Sequence, residues 1–267
     1  MSNGQPPIPV CDPSPGGRAA GRPLSVWLAG RIGFADYCRL AERLAWEVSE
    51  PQGRCPTLLL CELEPAITVG RLGSRADVLL SDDELRERRL AVRFVGRGGG
   101  AVLHAPGQVF VALFATLTDL GLGSHDVGAY LTRFEGAIEA ALRQVRCGTV
   151  RHPGVPGIFG RTGLLAAVGV AVRRGVASHG GFVNVAPALE AFEAVHSVPA
   201  GFAAQPRTMG SVEADLQRPV RLQDVRTALV QQFGDLFRFP RSHIQSGFPL
   251  PVSPPFPSAP EVFSRVG

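Results

Sequence analysis

The chain has 267 residues, of which 45% are hydrophobic and 19% charged, as in an ordinary soluble globular protein. No apolar run approaches the roughly 18 residues that a membrane helix needs, and the N-terminus lacks the features of a signal peptide. We therefore expect a cytoplasmic protein with no membrane partner. The net charge of +4 comes without a basic run, which argues against nucleic acid but would suit an acidic protein.

The cysteine and lysine contents restrict the possible chemistry. The five cysteines are odd in number and lack Cys-x-x-Cys spacing, so we expect mostly buried, reduced thiols, no disulfide framework and no metal site. No lysine occurs anywhere, so all 27 Lys-plus-Arg residues are arginine. A reaction that needs a lysine side chain cannot be housed in this chain.

Both ends of the chain are predicted to be tails. Residues 1–22 and the Pro-rich residues 239–267 show no periodicity, and we expect both to be disordered. The intervening residues, 23–238, contain no linker and no internal repeat, so they are predicted to form one domain.

Hydrophobic spacing predicts the elements of this domain in chain order. They are a strand at 24–28, a helix at 34–48, a strand at 57–63, a short helix from a capping box at Ser81 to Arg89, strands at 90–95 and 109–114, a helix capped by Asp126 that runs to Val145, strands at 164–172 and 181–185, and a helix at 222–236. Strands come in runs between only three substantial helices. This order favours an α+β fold with a mixed, largely antiparallel sheet packed by helices over a doubly wound parallel fold.

The stretch RGGGAVLHAPGQ, residues 97–108, is unusual because four glycines and a proline surround one histidine. Glycine at this density leaves backbone amides accessible to a ligand, but a glycine-rich hairpin turn would have the same composition. Both interpretations remain open on these residues alone.

Histidines in glycine-rich segments are the other candidates for chemistry. His104 and His179 each have such a setting, which makes a shared pocket plausible although either could be structural. His196 is predicted on a third loop, and the remaining histidines are interpreted as surface or capping residues: His125, His152 and His243. The chain has no Gly-x-Ser-x-Gly elbow and, without lysine, no phosphate-binding loop, and we expect no cofactor.

Residues 97–99 and 104–108 together resemble the Arg-Gly-Gly…His-Gly-Pro-Gly-Gln signature of the lipoyl(octanoyl) transferases. Other segments agree with that family in order: ITVGR at 67–71, RAD at 75–77, PGVPG at 153–157, LAAVG at 165–169, HG at 179–180 and NV at 184–185. The resemblance covers roughly residues 24–238. Several motifs in the right order are far more specific than one.

The resemblance implies a single α+β domain related to the biotin and lipoate protein ligases. Members of the family take an octanoyl group from acyl carrier protein, hold it on a cysteine and pass it to a lysine of a lipoyl domain. The partners would therefore be octanoyl-acyl carrier protein and the lipoyl domains of 2-oxoacid dehydrogenases or the glycine cleavage system, and we expect a monomer. By resemblance, the acyl site would be lined by Arg97, Gly98, Gly99, Gly100, Ala101, Val102, Leu103, His104, Ala167, Val168, Gly169, Gly180, Gly181 and Phe182, with Arg71, Gln108, His179 and Asn184 as further pocket candidates.

The sequence departs from the family at the two positions that carry its chemistry. The resemblance places the cysteine position at Ala200, within Pro199-Ala200-Gly201, and the lysine position at Leu164, so neither catalytic residue is intact. Val102 and Leu103, in place of the usual Thr-Tyr, make the pocket more apolar.

Three functions remain open on the sequence. The first is octanoyl transfer by direct attack of the lipoyl-domain lysine on the thioester, or by a relocated nucleophile such as Ser197 or Ser211 beside His196. The second is a catalytically degenerate pseudoenzyme that binds an acyl group or a lipoyl domain without turnover. The third is a different acyl-transfer or ligase reaction in the same pocket.

Overall fold

The computed structural model describes residues 21–50, 53–152, 157–197 and 208–247. The strands are β1 Leu24–Ile32, β2 Thr57–Leu63, β3 Ala66–Val69, β4 Ala91–Phe94, β5 Ala101–His104, β6 Gln108–Thr116, β7 Ile158–Phe159, β8 Leu164–Arg173, β9 Val176–Asn184 and β10 Ser242–Ser246. The helices are α1 Phe34–Ser49, α2 Asp82–Glu87, α3 Val127–Gln144, α4 Val212–Leu216 and α5 Leu222–Leu236, with short 3₁₀ turns at Arg75–Asp77 and Leu189–Ala194. Within these ranges, no helix is long and apolar enough to cross a membrane.

Two sheets of unequal size form the framework. The large sheet has seven strands in the order β10-β1-β2-β6-β9-β8-β7, and the small sheet has three in the order β4-β3-β5. The pairs β10–β1, β1–β2 and β3–β4 are parallel, and the other pairs are antiparallel. The predicted α+β fold with a mixed, largely antiparallel sheet is confirmed.

Helices cover both faces of the large sheet. On one face α1 buries the predicted stripe, which includes Tyr37 and Leu44, against β1, β2 and β6. On the other face α3 and α5 pack together through Phe134 and Phe233, whose ring centroids are 4.8 Å apart. The three substantial helices and their buried stripes are confirmed, because an amphipathic stripe at helical spacing is a local signal. The predicted caps at Ser81 and Asp126 also form, each accepting a backbone N–H.

The glycine-rich stretch contains a strand that the sequence did not predict. Ala101–His104 forms β5, which pairs antiparallel with β3 and is buried throughout. The stretch therefore links the two sheets instead of closing a simple hairpin turn. The predicted start of the strand at 181–185 is also wrong, because β9 begins at Val176 and contains His179, which was expected to precede it.

Two further expectations need correction. The predicted C-terminal tail contains β10, whose residues Ser242–Ser246 pair in parallel with β1, so this part of 239–267 is ordered. Its side chains are mostly polar and exposed, with Ile244 as the one apolar residue, so they give no hydrophobic period, and only the pairing with β1 defines the strand. The prediction of reduced thiols holds for Cys38, Cys61 and Cys147, whereas Cys55 is disulfide-bonded.

Candidate functional site

A cavity opens between β5 of the small sheet and strands β6, β8 and β9 of the large sheet. The space within it measures about 550 Å³, with open solvent at its mouth included. Its lining consists of Arg97, Gly99, Gly100, Val102, His104, Phe110, Leu164, Ala167, Val168, Gly169, Gly180, Gly181, Phe182 and Ser197. Most of the residues proposed for the acyl site are thus brought together around one space.

Strand alternation explains which of the proposed residues do not line this cavity. Val102 and His104 line it, while Ala101 and Leu103 pack on the opposite side in the core of the small sheet. Successive side chains of a strand point to opposite faces, so the side chains of β5 alternate between the cavity and the core of the small sheet. Gly98 lies outside the lining because its amide donates to the carbonyl of Val170 in β8, at 2.9 Å.

Gln108 and Asn184 support the cavity from behind. The Gln108 amide donates to the Asn184 side chain at 2.9 Å, and the Asn184 amide donates to the carbonyls of Leu164 at 3.1 Å and Gly210 at 3.0 Å. Both side chains are buried and neither lines the cavity. Arg71, another candidate outside the lining, is exposed, and its guanidinium donates to the carbonyl of Gly96.

One wall of the cavity is apolar. Leu164, at the position that the resemblance gives to the family's lysine, is 2% exposed and packs with Val102, Phe159 and Phe182. A hydrocarbon chain loses water against such a wall and gains about 0.8 kcal/mol for each CH₂ that is fully buried. Ala200, at the cysteine position, lies outside the described residues.

Arg97 places a buried positive charge at the cavity. Its guanidinium donates to the carbonyls of Thr68 at 3.0 Å, Gly98 at 2.8 Å and Gly100 at 3.1 Å, and to the Thr68 hydroxyl at 2.8 Å. No carboxylate of the described chain pairs with it, and burial lowers its pKa to about 10. It therefore remains a cation at neutral pH, neutralised only partly by backbone dipoles.

His104 is held by the same threonine. Its Nε2 lies 3.0 Å from the Thr68 hydroxyl, and its ring stacks on Phe34 at a centroid distance of 5.8 Å. Burial, reinforced by the charge of Arg97, lowers the pKa of His104 to about 3. The imidazole is therefore neutral at physiological pH, and its Nδ1 is buried without a hydrogen-bond partner in the described structure.

His179 lies beside this cavity and does not line it. Its φ of 59° is in the left-handed region, an uncommon conformation inside a strand. Burial lowers its pKa to about 4, and the charges of Arg97, Arg173 and Arg71 act in the same direction. Three arginines are thus near enough to His179 to disfavour its charged form.

The candidates for a relocated nucleophile differ in their hydrogen bonds and in their position relative to the cavity. Ser211 is committed to capping α4, where its hydroxyl accepts from the amide of Ala214 at 3.1 Å. Ser197 lines the cavity, and its hydroxyl oxygen is buried without a partner among the described residues. None of the three free cysteines lines the cavity, and burial raises the pKa of each thiol above its usual value.

Phe110 and Ser197 complete the lining without having been predicted as binding residues. Phe110 pairs directly with Phe182 in the register of β6 and β9. Since paired residues share a face of a sheet, alternation along β6 could have indicated Phe110 once that register was known. Ser197 carries no such local signal, because it reaches the cavity from a loop.

Comparison with known proteins gives the family context of this site. The model of the lipoyl protein ligase A/B catalytic domain matches residues 35–234. An octanoyltransferase of Geobacter metallireducens is 34% identical over 83% of this chain and 97% of its own length. An octanoyltransferase of Chloroflexus aurantiacus is 33% identical over 81% of this chain and 95% of its own length.

Solved structures show the same fold at lower identity. A putative lipoate protein ligase from Thermoplasma acidophilum, with bound lipoic acid, superposes with a TM-score of 0.63 and is 17% identical, over 85% of this chain and 88% of that one. A lipoate-protein ligase A bound with ATP gives a TM-score of 0.65 at 17% identity, over 84% of this chain and 90% of that one. The predicted likeness to the lipoate protein ligase fold is thereby confirmed.

Proposed function

The chain belongs to the lipoyl protein ligase A/B catalytic domain family, among its octanoyltransferases, and we propose that it transfers an octanoyl group from acyl carrier protein to a lipoyl-domain lysine. The observation that carries this proposal is a single cavity with an apolar wall, which includes Leu164 and Phe182, and a polar end formed by Arg97 and His104. The wall suits a hydrocarbon tail, and the polar end suits its thioester head. Lipoate biosynthesis is the process that such a transfer serves.

The chemistry proceeds by direct attack of the lipoyl-domain amine on the bound thioester. The C–N bond of the new amide forms, the C–S bond breaks, and the proton lost by the amine neutralises the departing thiolate. The amine comes from the partner, since this chain contains no lysine. The contribution of the chain is to hold the thioester in place, exclude water and stabilise the negative charge of the tetrahedral intermediate.

The carrier protein is proposed to dock at the open side of the cavity. The Arg71 guanidinium donates to the carbonyl of Gly96 at 3.0 Å, and Arg173 Nη2 would lie 2.7 Å from a Cβ built on the same glycine. Both arginines are exposed, and neither has an ion-pair partner in the described chain. Two unpaired cations next to the cavity suit the phosphodiester of a pantetheine arm on an acidic carrier.

The test is a transfer assay followed by mass spectrometry. Purified protein is mixed with octanoyl-acyl carrier protein and an apo lipoyl domain, and the octanoylated domain is measured against a reaction without the protein. Octanoylation faster than the uncatalysed rate supports the proposal. Octanoyl binding with no transfer above that rate would overturn it and assign the chain to acyl binding without turnover.

Variants at Leu164 and Ala200, the two positions that differ from the family, make this test more specific. The double replacement Leu164→Lys, Ala200→Cys introduces the family's amine and thiol, and Leu164→Met, Ala200→Ser is the matched control without either group. We expect transfer by the first variant to exceed that by the wild type by several powers of ten, because a covalent nucleophile splits one difficult step into two. No gain in a folded Leu164→Lys, Ala200→Cys variant would contradict the assignment of this cavity as the acyl site.

A further inference from the structure

We propose that His104 is a catalytic residue whose Nδ1–H donates a hydrogen bond to the carbonyl oxygen of the bound acyl thioester. The inference rests on the proposed function, because it assigns a role within the same cavity. It does not depend on the absent thiol or on the absent lysine.

The tautomer of His104 follows from an accounting of donors at Thr68. Arg97 can only donate, and its Nη2 occupies one acceptor position of the Thr68 hydroxyl at 2.8 Å. The hydroxyl oxygen has room for a second donor, but among the described residues its own hydrogen has no acceptor other than His104 Nε2, so it donates to Nε2 at 3.0 Å. An imidazole that accepts at Nε2 while neutral carries its proton on Nδ1.

The imidazole stays neutral over the physiological range. Burial and the adjacent charge of Arg97 both disfavour a second proton on the ring and lower the pKa of His104 to about 3. The nitrogen without a hydrogen-bond partner is therefore a neutral N–H donor. Its opposite nitrogen is fixed by a hydrogen bond, which prevents the proton from moving to Nε2.

The donor is buried, positioned and unused. His104 is 3% exposed and lines the cavity, and its Nδ1 has no hydrogen-bond partner among the residues that the structure describes. Phe34 stacks on one face of the ring and Phe110 meets it edge-on, so the packing fixes the ring orientation. Buried N–H groups are nearly always paired, and an acceptor on the ligand completes this one.

The Nδ1–H of His104 would stabilise the negative charge that forms during the transfer. When the amine attacks, the thioester carbonyl becomes single-bonded and its oxygen takes the negative charge until the C–S bond breaks. A preorganised donor at that oxygen lowers the barrier. The chain of hydrogen bonds from the Arg97 cation through Thr68 polarises the imidazole and strengthens its Nδ1–H as a donor.

A pair of ligands isolates the carbonyl contact without requiring turnover. Octanoyl-pantetheine contains the thioester carbonyl, and S-octyl-pantetheine is a thioether of the same length without it. We expect the wild type to bind the thioester about tenfold more tightly, the value of one good hydrogen bond. Equal affinities of the wild type for the two ligands would overturn the inference, whatever the transfer assay shows.

Two variants of His104 locate the donor atom. The amide nitrogen of His104→Asn falls near the position of Nδ1 and should keep most of the preference for the thioester. The amide of His104→Gln falls near Nε2 and should lose the preference for the thioester over the thioether. Retention of the full preference in His104→Gln would exclude an Nδ1–H contact.

The tautomer provides a readout that needs neither ligand nor variant. Nitrogen chemical shifts of ¹⁵N-histidine-labelled wild-type protein distinguish a protonated Nδ1 from a protonated Nε2. We expect the resonances of His104 to show the Nδ1–H form from pH 7.5 to pH 5. Detection of the Nε2–H form or of the imidazolium in this range would overturn the inference even if both variants failed to fold. Failure of transfer with the Nδ1–H form and the thioester preference intact would reject only the proposed function.

Discussion

Gly169 in β8 lies so close to Gly98 that a Cβ built on Gly169 would be 2.6 Å from the Gly98 carbonyl oxygen. The adjacent contact is a backbone hydrogen bond, from the amide of Gly98 to the carbonyl of Val170 at 2.9 Å. The glycine-rich segment thus lies directly on β8, backbone against backbone. This contact sets the position of Arg97, whose side chain is 3.2 Å from the same hypothetical Cβ.

Replacement of Gly169 by alanine should damage both the stability and the binding site. Backbone atoms cannot rotate away from the new methyl group, so we expect a loss of about 1–3 kcal/mol in the free energy of unfolding. Displacement of Arg97 should also weaken octanoyl-pantetheine binding. Urea denaturation and calorimetric titration measure the two effects.

Gly148→Ala is the matched control, because a Cβ at Gly148 would meet no atom within 4 Å. Its stability and affinity should stay within experimental error of the wild type. If Gly169→Ala behaved like Gly148→Ala, the close approach to Gly98 would not be a constraint on the site.

Replacement of Asn184 by leucine should destabilise the fold from behind the cavity. The change removes the donor to the carbonyls of Leu164 and Gly210 and the acceptor of the Gln108 amide. Buried polar groups left without partners cost about 1–3 kcal/mol each, so we expect a loss of at least about 2 kcal/mol in urea denaturation. Gln231→Leu, at an exposed amide pair with Gln144, should change stability by less than about 0.5 kcal/mol. Equal losses in the two variants would contradict a structural role for the buried amides.

The stability of the protein should fall as the pH drops below about 6.5, the ordinary pKa of histidine. Folding lowers the pKa of His104 to about 3 and that of His179 to about 4. Between these values and about 6.5, the unfolded chain therefore binds more protons than the folded chain. The free energy of unfolding should therefore decrease by about 1.4 kcal/mol per pH unit for each histidine once both titrate fully in the unfolded chain. Urea denaturation at pH 7, 6 and 5 measures this slope.

His179→Asn tests the origin of the pH dependence, since asparagine tolerates the left-handed backbone of that position. The variant should show a shallower slope between pH 7 and 5. His243→Gln, at an exposed position of β10, should keep the slope of the wild type. An unchanged slope in His179→Asn would show that this partly buried imidazole does not contribute.

The parts of the fold that were predicted correctly depend on local patterns. The stripe containing Tyr37 and Leu44 repeats at helical spacing, and the cap at Ser81 needs only its own first turn. The strand β5 was missed because its four residues sit among glycines, and only pairing with β3 makes them a strand. The strand β10 is mostly polar and exposed, with a single apolar residue, so no period in its sequence could separate it from a tail.

The residues around the cavity separate in the same way into those that a sequence motif indicates and those that need the fold. The resemblance, which rests on several motifs in the order of the family, indicated that Arg97, His104 and Gly169 line one pocket. Composition alone could not have indicated this. The choice of lining residues within β5 required the register of the strand, which decides that Val102 lines the cavity and Leu103 does not. The link from Arg97 through Thr68 to His104 joins residues 29 and 36 positions apart, and no local pattern predicts it.

Arg71 and Arg173, the two exposed arginines beside the cavity, should control the affinity for the carrier protein. The double replacement Arg71→Ser, Arg173→Ser removes two exposed charges beside the cavity, and we expect it to weaken binding of octanoyl-acyl carrier protein by about tenfold at low salt. The difference from the wild type should shrink in 0.5 M salt, where the Debye length falls to a few ångströms. Binding of octanoyl-pantetheine, which lacks the carrier protein and its phosphodiester, should change little.

The matched control is Arg143→Ser, Arg221→Ser, which removes equal charge from α3 and the start of α5 and should leave carrier affinity unchanged. A loss of carrier binding that is equal in the two double variants, or independent of salt, would show that net charge or misfolding is responsible and that Arg71 and Arg173 do not form the docking site.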